Sequence, residues 1–199
     1  MTTPSSPFGK SRLEAFSDGV LAIIITIMVL ELKVPHDASL AAVRELWPVF
    51  LSYILSFVYV GIYWNNHHHM LHAAHHVDGG VMWANLHLLF WLSLLPFVTG
   101  WAGENHFAAL PTSLYGVVLL CAAIAYRILQ QRIIALEGRE SVLARAVGSD
   151  RKGLLSPAIY ACAVALAWVS PIAANALYVL VALIWLIPDR RIERSLTDH

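Results

Sequence analysis

Six apolar stretches, separated by short polar ones, occupy most of this chain: Phe16–Leu32, Leu46–Trp64, Val81–Trp101, Ala109–Gln130, Leu155–Val169 and Ala174–Ile187. A helix that crosses a bilayer needs about 20 mostly apolar residues, and in lipid its backbone groups must be satisfied within the segment itself. The last two stretches are short and meet at Ser170-Pro171, where Pro171 and Asn175 favour a re-entering pair over one interrupted helix. Composition agrees, with 58% hydrophobic and only 13% charged residues, against about a quarter charged in ordinary soluble domains. The expected fold is an all-α integral membrane protein with six transmembrane helices. They would form one domain over residues 1–199, with short tails at each end.

Lysine and arginine set the orientation. With both termini inside, the inner side holds eleven: Lys10, Arg12, Arg127, Arg132, Arg139, Arg145, Arg151, Lys152, Arg190, Arg191 and Arg194. The outer side holds two, Lys33 and Arg44. Both ends are therefore expected on the cytoplasmic side. The apolar run after Ser17 is longer than the roughly 7–15 residues of a signal-peptide core and has no small-residue cleavage site, so it is expected to be retained. A formal net charge of zero gives no basic field for nucleic acid. The longest polar loop, Gln131 to Lys152, has no room for a nucleotide-binding domain, and no GxxxxGK[ST] pattern occurs. Cys121 and Cys162 lie in apolar segments, where cysteine packs as a small side chain.

The first span has an unusual beginning, RLEAFSDGVLAIIITIMVLELKVP from Arg12 to Pro35. At helical spacing Ile23, Ile27 and Leu30 share a face, which Phe16 and Gly19 extend and Thr26 borders. An aliphatic stripe of this kind more often packs against neighbours or lipid than lines a pore. The polar residues are more specific. A charge at full membrane depth costs about 2.5–3.5 kcal/mol on insertion scales, so Arg12 and Asp18 should face protein or water and find partners. Arg12 could instead snorkel and Asp18 cap the helix start. The Thr26 hydroxyl could border a lumen or bond back to the carbonyl of Ala22.

Arg12-x-x-x-Phe16-Ser17-Asp18 resembles the RxxxFSD signature of the transmembrane protein 175 family, the lysosomal potassium channels and their bacterial relatives. The resemblance continues through Ala22, Ile23, Thr26, Leu30, Glu31 and Leu32, and in a second block, YWNNHH at Tyr63–His68, then Trp83, Asn85, Leu86 and Pro96-Phe97. It implies a potassium-permeable cation channel with no carbonyl filter loop, in keeping with the absence of any TVGYG-like segment. It further implies a pore lined by the first helix, with Ile23 the main constriction, Ile27 and Leu30 further rings, and Thr26 a polar layer contributing to potassium preference. Arg12, Phe16, Ser17 and Asp18 would hold that helix against its neighbours, with Trp64, His67, His68 and Asn85 as partners. One signature per chain supplies one lining helix, so several chains must surround an axis; the resemblance suggests a homotetramer. No enzyme activity or cofactor is expected, with K⁺ as permeant ion, a prokaryotic plasma membrane as location, and lipid and monovalent cations as the other partners.

NNHHHMLHAAHH, Asn65 to His76, competes with that reading. Its spacing superficially matches the histidine boxes of di-iron membrane desaturases, but the two matches share His72 and no third box follows. On one helix, His68, His72 and His76 would lie four apart and could share a Zn²⁺ or Ni²⁺. The alternative function is therefore a histidine-rich metal-ion carrier or metal-binding membrane protein. Trp47, Trp83, Trp101 and Trp185 fall near expected span ends, as in an aromatic belt, and Glu31 and Glu104 are expected to draw cations to the outer face.

Overall fold

The computed structural model describes residues 9–138, 140–147 and 151–186, and among these the regular structure is helix alone. The helices are α1 (Lys10–Leu30), α2 (Leu40–Glu45), α3 (Trp47–His72), α4 (Gly79–Ser93), α5 (Leu95–Glu104), α6 (Ala109–Glu137), α7 (Val142–Val147), α8 (Arg151–Leu166) and α9 (Pro171–Leu186). Helix starts are marked by local chemistry. Ser39 accepts the Ala42 amide at α2, and Asp78 accepts the Val81 amide at 2.7 Å at α4. Proline falls in the first turn of α3 and of α5, where its missing N–H costs nothing.

Four segments are long and apolar enough to cross a membrane: α1, α3, α6, and α4 with α5 together over Gly79–Glu104. Lys152–Leu166 and Pro171–Leu186 are shorter apolar helices, and 16 residues rise only about 24 Å. They are separate elements that pack on one another, joined through Ala167–Ser170, with the Ser170 hydroxyl accepting the Ala173 amide.

Several boundaries move from their expected places. The first helix begins at Lys10 and the second continues two turns beyond Trp64, to His72. Hydropathy ends where apolar composition ends, whereas the backbone ladder continues through any residue that tolerates helix. The third span is two helices, broken at Leu94. Pro96 is the cause: it cannot donate to the Leu92 carbonyl, and its ring crowds that turn. Arg139, Arg190, Arg191 and Arg194, four of the orientation residues, and the expected span end Ile187 lie outside the described residues.

The helix α6 is central, packing against α4, α5, α8 and α9, while α1 packs against α3, α4 and α5. Tyr59, Tyr115, Tyr160 and Tyr178 are buried between these helices and cross-link them. The Tyr59 hydroxyl donates to the Tyr178 carbonyl at 2.6 Å, and the Tyr178 hydroxyl donates to the Thr112 carbonyl at 3.2 Å. Ser56 bonds both Thr99 (2.6 Å) and the Tyr115 hydroxyl (3.0 Å). A buried phenol thus brings aromatic area and a satisfied hydroxyl together. Two glycines allow the closest approaches. A methyl group at Gly116 would collide with the Tyr178 ring, and one at Gly103 would lie 2.7 Å from the Val49 Cα.

Backbone cannot rotate away from a clash, so Gly103→Ala should force α5 off α3. Overpacking of this kind costs about 1–3 kcal/mol, and thermal melting of detergent-solubilised protein should register the loss. Gly61→Ala, where no atom lies within 4 Å of the added methyl, should leave the melting temperature unchanged or raise it. Equal melting of Gly103→Ala and wild type would mean that α3 and α5 are not in contact there.

Candidate functional site

The two faces of α1 differ sharply in burial. Leu13, Ser17, Leu21, Ile24 and Met28 point into the chain and are buried. On another face Phe16, Ile23, Ile27 and Leu30 are 52, 59, 42 and 76% exposed. Thr26 is also exposed, and its hydroxyl donates to the Ala22 carbonyl at 2.9 Å. That bond uses its proton and leaves the oxygen able to accept.

The buried face is held by a chain of hydrogen bonds linking α1, α4 and α3. The Ser17 hydroxyl donates to the Leu13 carbonyl at 2.8 Å and accepts from the Asn85 amide at 2.9 Å. The Asn85 oxygen lies 2.7 Å from His67 Nε2. All three side chains are buried, at 0, 0 and 2% exposure respectively. Directionality follows from the first bond. Ser17 has given its proton to Leu13, so Asn85 must present its NH₂ to Ser17 and its oxygen to His67, and Nε2 must carry a proton. The order of donors along the chain thus assigns the imidazole tautomer.

Asp18, on the exposed side of Ser17, accepts from the Trp64 indole at 3.0 Å. The Trp64 ring stacks on His68 with centroids 6.0 Å apart, and His68 stacks on His72 at 6.1 Å. Ser17, Asp18, Trp64, His67 and Asn85 are therefore brought together by hydrogen bonds, and His68 joins by stacking. Arg12 and Phe16 stand apart. Arg12 is exposed beside Phe16, Val77, Met82 and Leu86, and among the described residues its side chain makes no hydrogen bond or ion pair. A residue that sequence reasoning missed supplies a further tie: Lys10 donates to the His72 carbonyl at 3.0 Å. Its signal was a lysine two residues before the motif, opposite a helix end whose carbonyls need donors.

The histidine row does not continue as one face. The helix α3 ends at His72, so His76 is not four residues further along the same helix. Glu137 accounts for the departure. Its carboxylate Oε1 accepts the backbone amides of both His75 and His76 at 2.7 Å, and His76 Nδ1 lies 3.4 Å away. With a side chain 6% exposed, Glu137 ties the end of α6 to the α3–α4 connection. An acid in the last turn of a helix opposes the macrodipole, and that local disagreement was the available sign of a tertiary partner. Among the described residues no three His, Cys, Asp or Glu side chains converge on a possible metal position.

At the opposite end of the bundle Lys33 pairs with Glu104 at 2.6 Å. The hydrogen bond and charge of Glu104 raise the Lys33 pKa above its ordinary value, with a smaller contribution from Glu31. Glu104 is therefore largely compensated, leaving Glu31 as the more available anion at the end of α1.

These features define a multi-helix membrane protein whose first helix is clamped on one face by polar side chains and bare and apolar on another. The family described as the endosomal/lysosomal potassium channel TMEM175 matches residues 12–96, the part of the chain that contains the clamp. A potassium channel of Chryseobacterium sp. (strain P1-3) is 56% identical over 190 residues, covering 96% of this chain and 99% of that one. A potassium channel of Streptomyces collinus is 34% identical over 131 residues, 60% of this chain and 62% of that one. The crystal structure of a lysosomal potassium-selective channel TMEM175 homolog from Chamaesiphon minutus has a TM-score of 0.80 at 27% identity, over 90% of this chain and 97% of that chain. The chain belongs to the TMEM175 family.

Removing the middle of the hydrogen-bond chain should be the most damaging change at the clamp. Asn85→Ala strands Ser17 and His67, and each buried group left unsatisfied costs about 1–3 kcal/mol. A strong fall in melting temperature is expected. Trp64→Phe removes one bond at an exposed carboxylate and should cost about 1 kcal/mol or less. Asn85→Ala melting no lower than Trp64→Phe would show that the buried chain does not hold α1.

Proposed function

We propose that the protein is a potassium-permeable cation channel, in which four copies surround an axis lined by α1. The observation that carries this reading is the bare apolar face of α1, with Ile23 59% exposed on a helix whose other face is held inside the chain. One helix encloses nothing, so a lumen needs several copies. The number four rests on the family resemblance. Ile23 then forms the narrowest ring, with Ile27 and Leu30 as further apolar rings toward the outer end. Thr26 contributes four hydroxyl oxygens between them. Potassium is supported as permeant ion by the naming of the bacterial relatives as potassium channels. Ion conduction through such a path requires neither a cofactor nor a catalytic residue. The distribution of Lys and Arg supports both termini being cytoplasmic, and the bacterial relatives support a plasma membrane location.

The polar clamp has a mechanical part in this reading. It fixes the rotation of α1 about its own axis, and so decides which side chains meet the axis. Arg12 lies at the cytoplasmic end of the same exposed region, where a neighbouring copy would supply its partner.

The test is the reversal potential of purified protein in lipid bilayers under a K⁺/Na⁺ gradient. A shift toward the potassium equilibrium potential is expected, and a flux without current would overturn the channel reading. An apolar ring resists wetting, so Ile23→Asn should raise background current and relax selectivity; flux equal to wild type would remove Ile23 from the constriction. Thr26→Val keeps shape and deletes the hydroxyl, and should move the reversal potential toward non-selectivity while current persists. An unchanged K⁺/Na⁺ ratio would assign Thr26 to its bond with Ala22 alone.

A further inference from the structure

Away from the α1 face, a cleft of about 500 Å³, counting its open mouth, lies between α3, α6, α8 and α9. Its walls are mostly apolar with a few placed polar groups, the lining that small-molecule sites favour. With these helices crossing the membrane in the proposed orientation, the lining is ordered by depth. Asn66 and Arg127 stand about 28 and 27 Å from the outer ends of α3 and α6, taking 1.5 Å per residue, near the inner edge of a hydrocarbon core about 30 Å thick. Ser156, about 7.5 Å into α8 from Arg151, joins them at the mouth. Tyr59 and Tyr160 line the deeper part.

Arg127 sits inside one of the segments apolar enough to span a membrane and is half-buried. The other polar side chains at the mouth are occupied. Asn66 donates to the Ile62 carbonyl at 2.8 Å, and Ser156 donates to the Lys152 carbonyl and accepts from the Trp185 indole, both at 2.8 Å. The Arg127 guanidinium makes no hydrogen bond or ion pair with any described residue. A guanidinium at that depth faces the headgroup layer, and its planar fork matches phosphate oxygens.

We infer that this cleft is a lipid site: the phosphate of one anionic phospholipid from the cytoplasmic leaflet rests on Arg127, and an acyl chain enters between the tyrosines. The site is separate from the proposed pore, and its test reads binding rather than current. A phosphate on a long alkyl chain satisfies the guanidinium and the aromatic walls together, whereas free phosphate satisfies only the first.

The full-length protein, purified in detergent, is titrated with dioleoylphosphatidylglycerol and followed by native mass spectrometry. One retained lipid per chain is expected, in preference to dioleoylphosphatidylcholine. Arg127→Gln should weaken retention by about tenfold, the usual scale for losing a charge-assisted bond. Arg127→Lys, a gentler change should the first not fold, should weaken it less. Arg132→Gln, an exposed arginine of the same helix, should leave it unchanged. Ala123→Phe, which narrows the slot but keeps the charge, should also weaken it, and inorganic phosphate should not compete. Equal weakening by Arg127→Gln and Arg132→Gln would overturn the site in favour of a diffuse basic rim. Retention indifferent to either Arg127 variant would also overturn it. Displacement by inorganic phosphate, or no effect of Ala123→Phe, would reduce the site to an anion contact with no place for a chain.

Discussion

Hydrogen bonding where water is absent governs this molecule. Lipid offers no partner to a serine, an asparagine or an imidazole, so each must be answered by protein. The Ser17–Asn85–His67 chain does this across three helices, with every proton assigned by the bond before it. Apolar packing alone permits a helix to turn about its axis at small cost, because one aliphatic side chain replaces another. A directed sequence of donors and acceptors permits one rotation. The burial of Leu21, Ile24 and Met28 follows from that rotation, and so does the exposure of Ile23, Ile27 and Leu30.

The remaining core uses the same means with different residues. Tyrosine hydroxyls bond backbone carbonyls on neighbouring helices while their rings fill the space between. Gly103 lets α5 approach the α3 backbone at Val49, and Gly116 leaves room for the Tyr178 ring. Tight backbone approach and interhelical hydrogen bonds are the forces left to a membrane bundle, since lipid tails are as apolar as leucine.

Much of this architecture is legible in the sequence because a bilayer is a demanding solvent. Apolar runs of bilayer length located the membrane segments, although α8 and α9 are shorter than a typical span. The clamp residues stood out as polar groups in an apolar helix, and the resemblance supplied Asn85 and His67 as partners. What stayed hidden depended on contacts between distant positions. The reach of Lys10 to the end of α3 and the capture of two histidine amides by Glu137 join residues 62 and 61–62 apart in the chain. Composition carries no record of such pairs. The break at Leu94 is a different case: Pro96 was visible, and averaging hydropathy across it concealed its effect.

The clamp and the exposed apolar face lie on one continuous helix, so they share a phase. Each residue advances the helix by about 100°. One residue inserted between Ser17 and Ile23 would carry Ile23, Ile27 and Leu30 that far around while leaving Ser17 seated, turning them away from the direction they now face. The same insertion after Leu30, beyond the exposed face, would alter only the connection to α2. Length variation among natural relatives should consequently be forbidden in the six-residue interval from Ser17 to Ile23 and tolerated between Glu31 and Ser39. The spacing from the anchor to the exposed apolar face is as much a part of the molecule as the residues at either end.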